Sequence, residues 1–259
     1  MPAPDASQLT VPSPSHRLAL SSLTPLLFSP LHEPYLPIPS SPYILTPARL
    51  SDPPVRVTLL NDPTVSPYLF SPPNPYTLVD AVERTKENMT EEQAMLMKWA
   101  IARDAGEGVE ARLDGCPLGV IREVEDGEEA FVGEFGFGRE DAFMEIVDMA
   151  EREGVIRKNL EREAGDPLIV WTMFFLLLPE HAGKGVMTRV FSHLFDAYLI
   201  PVLNVRHVLS YAFCGNEGSK RVHEKLKFKL IGTDWLEMRE DRGGGKKEEW
   251  IFEWKLPVT

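Results

Sequence analysis

An uncharged apolar run between two prolines limits most strongly what this chain can fold into. It covers residues 168–178 and is bounded by Pro167 and Pro179. The run is longer than a typical strand of ~5 to 6 residues, yet its composition and its proline boundaries fit a strand that is buried on both sides. We therefore predict the central strand of a sheet here, with the rest of the fold built around it.

The segments on either side of this run carry alternating strand and helix signals. Asp126-Gly127 is a hairpin turn signal, and Thr77 can cap the start of a helix. These signals predict an α/β (α+β) fold with a mixed, largely antiparallel central sheet of six to seven strands and helices on both faces. Strand character is found in residues 43–45, 97–103, 118–124, 130–137, 168–178, 205–213, 228–238 and 249–256, and helix character in residues 50–61, 77–88, 183–199 and 218–226.

Two further segments differ in composition from the rest. Residues 1–42 are rich in Pro, Ser and Leu, which predicts an irregular N-terminal arm whose apolar residues pack on the body. The segment at about 139–166 is highly charged with spaced apolar residues, which predicts one or two amphipathic helices. We therefore expect an arm followed by one domain over residues 43–259, with a charged helical insertion.

Composition narrows the function classes. The net charge of -12 argues against a nucleic-acid partner, because affinity for a polyphosphate comes mainly from Lys and Arg. Cys116 and Cys214 are too few for a disulfide framework and are expected to be reduced. No run approaches the ~18 apolar residues of a membrane span, and the N-terminus lacks a signal-peptide pattern. These features predict a cytoplasmic protein with no membrane partner.

The turn after the apolar run is the first candidate functional feature. Gly183-Lys184-Gly185 precedes a predicted helix. A helix N-terminus offers unpaired N–H groups and partial positive charge, and glycines let a phosphate approach the backbone. An anion seat is one interpretation, and a turn that uses glycine only for its geometry is the other. The turn is not a Walker loop, which needs Ser or Thr after the Lys, where Gly185 stands.

A second motif follows the strand predicted over residues 205–213. Together with the turn after Pro179, it resembles the GNAT superfamily of N-acetyltransferases, in particular the branch that acetylates ribosomal-protein N-termini. The resemblance spans about Tyr43 to Val258, including Leu45 to Pro47 and Asn61 to Pro63. The second motif reads Asn216-Glu217-Gly218-Ser219-Lys220-Arg221-Val222-His223-Glu224-Lys225-Leu226-Lys227-Phe228.

The resemblance implies acetyl-CoA as the co-substrate and no metal. In the family, backbone N–H groups of the loop hold the coenzyme A pyrophosphate, and the preceding strand splays from its neighbour to pair with pantetheine. Ala182 and Met187 depart from the family pattern, which has Arg or Gln at the first position and a small residue at the second. The implied coenzyme-binding residues are Leu176, Leu177, Leu178, Gly183, Lys184, Gly185, Val186, Met187, Asn216 and Ser219.

Three residues are catalytic candidates. Attack by an amine needs a base or a water path, and the leaving thiolate needs a proton donor. His223 stands where many family members have Tyr and can donate near neutral pH, with Ser219 as the second candidate donor; a surface histidine is the alternative. Glu134 lies on the strand where several relatives carry a base. Alternation places it opposite Phe135, and an ordinary solvated glutamate is the alternative.

The resemblance implies transfer of an acetyl group from acetyl-CoA to a primary amine, without an acyl-enzyme. The amine belongs to a protein N-terminus or a small molecule, and the acidic net charge favours a cationic acceptor. The intervals between His181, His193, His207 and His223 are not those of a zinc site. The alternatives are a catalytically silent coenzyme-binding relative and a peptide-binding module, and a homodimer is left open.

Overall fold

In the computed structural model, which describes residues 26–29, 33–104 and 113–256, nine strands form one sheet. The strand order is β1-β2-β3-β4-β5-β6-β7-β9-β8. Neighbouring strands are antiparallel except β6 and β7, which are parallel, so the predicted fold class is confirmed. The strands are β1 (Leu27–Phe28), β2 (Pro34–Pro37), β3 (Tyr43–Thr46), β4 (Val120–Glu125), β5 (Glu128–Arg139), β6 (Val170–Leu177), β7 (His207–Phe213), β8 (Lys229–Glu237) and β9 (Lys246–Lys255).

Five α-helices pack with this sheet in the described part of the chain. Thr77 caps α2 as predicted: its hydroxyl accepts a hydrogen bond from the Asp80 N–H at 3.3 Å, and the Asp80 carboxylate accepts one from the Thr77 N–H at 2.8 Å. The helices are α1 (Pro53–Asn61), α2 (Leu78–Asp104), α3 (Met149–Leu160), α4 (Val186–Leu194), which continues as a π-helical segment (Phe195–Leu199), and α5 (Glu217–Lys225).

Side-chain alternation along β5 assigns the helices to two faces of the sheet. Phe135 packs edge-on against Phe191 of α4, with ring centroids 5.3 Å apart. Glu134, the preceding residue, contacts Arg56 of α1, which in turn contacts Thr85 of α2. We call the side with α1 and α2 the α2 face, and the side with α4 and α5 the α4 face.

The charged insertion contains one helix, α3, which a buried asparagine anchors to the sheet. The Asn159 side chain donates hydrogen bonds to Glu140 O at 2.9 Å and Val170 O at 2.8 Å, and accepts one from Val170 N at 2.8 Å. Arg139 donates to Asn159 O at 2.8 Å. The insertion is therefore fixed to the end of β5 and the start of β6.

The prediction of a strand over residues 97–103 is wrong. These residues continue α2, which also extends well beyond its predicted end at residue 88. No glycine or proline occurs between Leu78 and Asp104, and Ala, Met, Leu, Lys and Glu, all strong helix formers, dominate the second half of this segment. Nothing in the local sequence therefore ends the helix before Asp104.

The N-terminal arm is less irregular than the sequence suggested. Strands β1 and β2 lie inside residues 1–42, and β2 pairs with β3 through Leu36 and Leu45. Leu26 and Leu36 are buried, so the arm extends the core as well as the sheet. Seven of the nine strands, β3 to β9, lie within residues 43–259, and β1 and β2 are the other two. Residues 1–25 lie outside the described residues.

Two expectations from composition, on membrane-spanning helices and on the two cysteines, can be compared with the structure. Over the ranges that the structure describes, no helix is both long and apolar enough to cross a lipid bilayer. Cys116 and Cys214 are both free thiols, which agrees with the expectation that neither forms a disulfide.

Candidate active site

Strands β6 and β7 pair over only three residues and then separate. β6 continues to Leu177 and β7 to Phe213. On its other edge, β6 stays paired with β5 as far as Leu177 opposite Gly133. A wedge-shaped opening therefore lies in the middle of the sheet, and backbone groups on one edge of β6 can pair with a ligand there. The paired residues are Val170 with His207, Trp171 with Val208, and Thr172 with Leu209.

At the wide end of this opening the chain turns from β6 into α4. Gly183 and Gly185 have φ values of 72° and 77°, in the left-handed region that favours glycine. The Arg189 N–H donates to Gly185 O at 3.0 Å, so the amides before it at the helix start have no intrahelical partner. Residues 182–185 are exposed. The turn thus has the geometry of an anion seat.

Val186 and Met187 can offer only backbone groups to a ligand at this turn. Their side chains are buried in the main core, together with Val190 and Phe191 of the same helix. The bulk of Met187, which departs from the family pattern, is therefore accommodated inside the protein rather than at the exposed turn.

The second motif begins α5 on the far side of the opening. The Asn216 Oδ1 accepts a hydrogen bond from the Ser219 N–H at 3.1 Å and caps the helix. Ser219 is half-buried in the first turn of α5. Asn216 and Ser219 therefore lie where β7 ends, while Leu176 to Leu178 and the glycine turn lie where β6 ends.

His223 is a core residue with a neutral ring. It is 1% exposed and stacks on Phe252 with centroids 4.2 Å apart. Its Nδ1 lies 2.9 Å from Ser219 O, and because a carbonyl oxygen only accepts, Nδ1 carries the proton of the neutral ring. Burial lowers the pKa of His223 to about 4, which argues against a role as proton donor at neutral pH.

Ser210 links His223 to the narrow end of the opening. Its buried hydroxyl lies 2.8 Å from His223 Nε2 and 3.1 Å from Met173 O, just past the last paired residue of β6. The hydroxyl has one proton, so it donates to one of these acceptors at a time. Ser210 and His223 together close the narrow end of the opening on the α4 face.

Glu134 is buried on the α2 face in an ion pair, rather than solvated. Arg56 contacts it through Nε at 2.7 Å and Nη2 at 2.6 Å, both at Oε2. Arg56 also donates to Thr85 Oγ1 at 2.7 Å. Desolvation raises the pKa of Glu134 and the charge of Arg56 counters this. In register, Glu134 pairs with Leu176, so it borders the β6 side of the opening.

The segment from Ser66 to Asn74, which we call the strap, spans the opening on the α2 face. It connects α1 and α2, and its Tyr68 hydroxyl donates to Gly215 O at 3.1 Å, after β7. Arg242, in the β8–β9 hairpin, donates to Ser66 O at 3.1 Å, Pro72 O at 2.5 Å and Pro73 O at 3.2 Å. These contacts fix the strap on the β7 side of the opening, and the chain before and after it leads into α1 and α2.

A family model of the acetyltransferase (GNAT) domain matches residues 43–229, more than half of the chain. The chain belongs to the GNAT acetyltransferase family. The recognition drawn from the two motifs is confirmed, and β6 separates from β7 as the resemblance implied.

Solved GNAT structures share this fold at low sequence identity. A GNAT acetyltransferase from Bacillus anthracis is 13% identical with a TM-score of 0.52, covering 84% of this chain and 97% of that one. RimL, a ribosomal alpha-N-protein acetyltransferase, is 12% identical with a TM-score of 0.53, covering 87% and 96%. Mycobacterium smegmatis RimJ in complex with CoA-disulfide is 14% identical with a TM-score of 0.53, covering 86% of each chain. Comparison with curated protein sequences finds no match.

Sequence reasoning missed Arg56 and Ser210. Arg56 lies between Val55 and Val57 in a helix whose other inward residues are apolar, and such a lone arginine could have indicated a buried acidic partner. Ser210 is a polar residue within an otherwise apolar stretch of β7. Across the described ranges, no three His, Cys, Asp or Glu side chains are placed to hold a metal ion.

Proposed function

We propose that this GNAT protein is an N-acetyltransferase that moves an acetyl group from acetyl-CoA to a primary amine by direct attack. The separation of β6 from β7, directly before the exposed glycine turn that starts α4, is the observation that carries the proposal. A ligand with an extended amide arm and a diphosphate needs both parts: an unpaired strand edge and a helix N-terminus. That RimJ, which has a similar fold, is in complex with CoA-disulfide supports the same assignment.

The residues that would hold the coenzyme lie along one path. Backbone groups of residues 183–187 would bind the pyrophosphate, with the exposed Lys184 side chain adding a positive charge. The open edge at Leu176 to Leu178 would pair with the pantetheine amides, and Asn216 and Ser219 would border it from the β7 side. When bound, acetyl-CoA supplies an activated acetyl thioester.

The acceptor amine would approach from the α2 face. Glu134 is the candidate group that receives or relays its proton, because both Arg56 contacts go to Oε2 and leave Oε1 able to accept a hydrogen bond from an amine or a water. Arg56 would keep the carboxylate ionised in spite of its burial. Glu134 would act in this way directly beside Leu176, at the open edge of β6.

On the α4 face, Ser219 is a better candidate proton donor than His223. Ser219 is half-buried at the start of α5, whereas the Nδ1 proton of His223 is held by Ser219 O. We propose that His223 is a positioning residue: through Ser210 it fixes the narrow end of the opening.

Calorimetric titration with acetyl-CoA tests the coenzyme site. We expect micromolar binding to the wild type and ~tenfold weaker binding to Lys184→Glu, because the substitution puts a negative charge beside the pyrophosphate. Lys158→Glu, an equal charge change on the exposed side of α3, should bind like the wild type. Absence of binding to the wild type would overturn the proposed function.

Release of the coenzyme thiol in the presence of a panel of amines tests the transfer. Glu134→Gln should lower kcat by ~100-fold with acetyl-CoA binding retained, and Ser219→Ala should lower kcat by a similar factor at saturating acetyl-CoA. Ser192→Ala, on the exposed side of α4, should match the wild type. Tight binding without turnover of any amine would instead support the alternative of a silent coenzyme-binding module.

A further inference from the structure

A cavity lies between the strap and the tip of the β8–β9 hairpin. Its volume is about 290 Å³, which is enough for a small ligand or for one charged end of a larger one. The charged residues that line it are Arg242, Lys246 and Lys247 of the hairpin, and no carboxylate of the described residues lines it. In a protein with a net charge of -12, the cavity is therefore a locally cationic concave surface.

Two of these cations lack a counter-charge. Arg242 donates three hydrogen bonds to strap carbonyls, and the Lys247 ammonium donates one to Pro67 O. In the described ranges neither forms a salt bridge, and burial lowers the pKa of both groups. Asp241 favours the charged form of Arg242, but Arg239, which is paired with Asp241, opposes it. Both cations are thus hydrogen-bonded without being neutralised, which is costly unless an anion joins them.

The three side chains keep donors for such an anion. An ammonium has three N–H donors and a guanidinium has five, so the strap carbonyls leave donors free on both Arg242 and Lys247. Lys246 is 62% exposed, and its ammonium lies 3.8 Å from Glu237, itself 83% exposed, a pair that holds it only weakly. A carboxylate or phosphate could accept several of these hydrogen bonds at once.

The cavity lies on the acceptor side of the opening. The Lys247 ammonium is 4.3 Å from the ring centroid of Phe213, the last residue of β7, and 5.4 Å from that of Tyr68 in the strap. Ser210 contacts α5 on the α4 face, and alternation directs Phe213, three residues further on, to the α2 face. The cations are therefore beside the wide end of the wedge, on the opposite face of the sheet from α4 and its candidate pyrophosphate seat.

We propose that this cavity binds an anionic group of the acceptor, a carboxylate or a phosphate, through Arg242, Lys246 and Lys247. The inference rests on the proposed function and names the substrate class: amines that also carry an acidic group. The net charge of the protein acts on encounter at long range, whereas these cations act at contact distance. The acceptor in solution is then zwitterionic rather than purely cationic.

Calorimetric titration with two matched pairs of amines tests the cavity, with coenzyme A present so that the glycine turn is occupied. γ-Aminobutyrate has a carboxylate where butylamine has a methyl group, and phosphoethanolamine has a phosphate where ethanolamine has a hydroxyl group. We expect the wild type to bind the anionic member of at least one pair ~tenfold more tightly, because charge-assisted hydrogen bonds form in a partly buried site. A preference confined to the first pair identifies a carboxylate, and one confined to the second a phosphate.

Lysine variants test which residues hold the anion. Lys247→Gln should remove most of the preference, and Lys246→Gln should lower it by ~threefold. Among the described residues, the Lys246 side chain makes no contact with the strap beyond lining the cavity, so Lys246→Gln keeps the test decisive if Lys247→Gln does not fold. Lys229→Gln, the same charge change at the exposed start of β8, should keep the full preference.

Coenzyme binding separates this inference from the proposed function. All three variants should bind coenzyme A like the wild type, because the cavity and α4 lie on opposite faces of the sheet. Equal binding within both pairs by a wild type that binds coenzyme A would overturn the anion site alone. A preference that persists in both Lys246→Gln and Lys247→Gln would do the same. Failure of the wild type to bind coenzyme A would overturn the proposed function instead.

Discussion

Arg56 and Glu134 form an ion pair that lies almost entirely out of water. The side chains are 1% and 12% exposed, and Thr85 takes a further hydrogen bond from the guanidinium. A buried pair of this kind contributes little net stability compared with apolar residues, but the loss of one partner leaves the other charge buried and uncompensated. The arginine therefore supports the fold and counters the rise in the pKa of Glu134 that burial causes.

Replacing Arg56 by methionine should destabilise the protein by about 3–5 kcal/mol, because Glu134 loses its counter-charge. Chemical denaturation measures this loss. The control is Arg84→Met, which removes a half-exposed arginine from α2 and should change the free energy of unfolding by less than ~0.5 kcal/mol. A cost for Arg56→Met as small as that of the control would contradict the assignment of a buried ion pair.

Glu92 should make stability depend on pH. Burial raises its pKa to about 8, although the Ala48 N–H and Arg56 act in the opposite direction. Since the folded-state pKa lies above the unfolded one, the stability linked to the bound proton is fully present below pH ~4.3 and is lost as pH rises towards 8.

The Glu92→Gln variant isolates this effect, because it cannot lose a proton. Its free energy of unfolding relative to the wild type should increase by up to ~1.4 kcal/mol per pH unit between pH 5 and 8 and level off above that. Urea denaturation across this pH range measures the difference. A difference that is constant with pH would show that Glu92 is not held in its protonated form.

Single residues show where sequence reasoning reaches its limit. Alternation along β5 correctly placed Glu134 opposite Phe135, since the strand period is local information. The choice between a solvated and a buried glutamate was open, because the deciding partner, Arg56, lies 78 residues away in the chain. The role of His223 depended in the same way on Phe252, Ser210 and other distant neighbours that bury its ring.

At the scale of elements, the separation of β6 from β7 defines the site. Sequence periodicity located both strands, but pairing between strands joins distant parts of the chain and leaves no local signal. The separation was expected only from the family resemblance. Conversely, residues 97–103 looked like a strand, although they continue the long helix α2.

Acetyl-CoA should protect the open edge of β6 from hydrogen exchange. If pantetheine pairs with this edge and the pyrophosphate with the start of α4, amides at Phe175, Leu177 and Gly183 should exchange at least ~tenfold more slowly in the complex. Amides of β4, which is already paired on both sides with β3 and β5, should not change. Protection confined to other strands would place the coenzyme elsewhere.

At the scale of the whole molecule, the sequence predicted the seven strands over residues 43–259 but not the two strands at one edge of the sheet. The seven strands over residues 43–259 and the helices on both faces follow from turn and periodicity signals that repeat along the chain. Strands β1 and β2 were missed because they have only two and four residues and lie in a proline-rich segment. Short edge strands depend on an existing neighbour, here β3, more than on their own sequence.

The strap limits how an acceptor could reach the wedge. It is held on the β7 side by the Tyr68 hydroxyl on Gly215 O and by Arg242 on the strap carbonyls. If transfer takes place in the wedge, a free N-terminus or a small amine should pass the strap more easily than a lysine of a folded surface, because the backbone continues on both sides of that lysine. Mass spectrometry of acetylated peptides measures this: peptides with a free N-terminus should be modified there, and N-terminally blocked proteins should not be modified on their lysines.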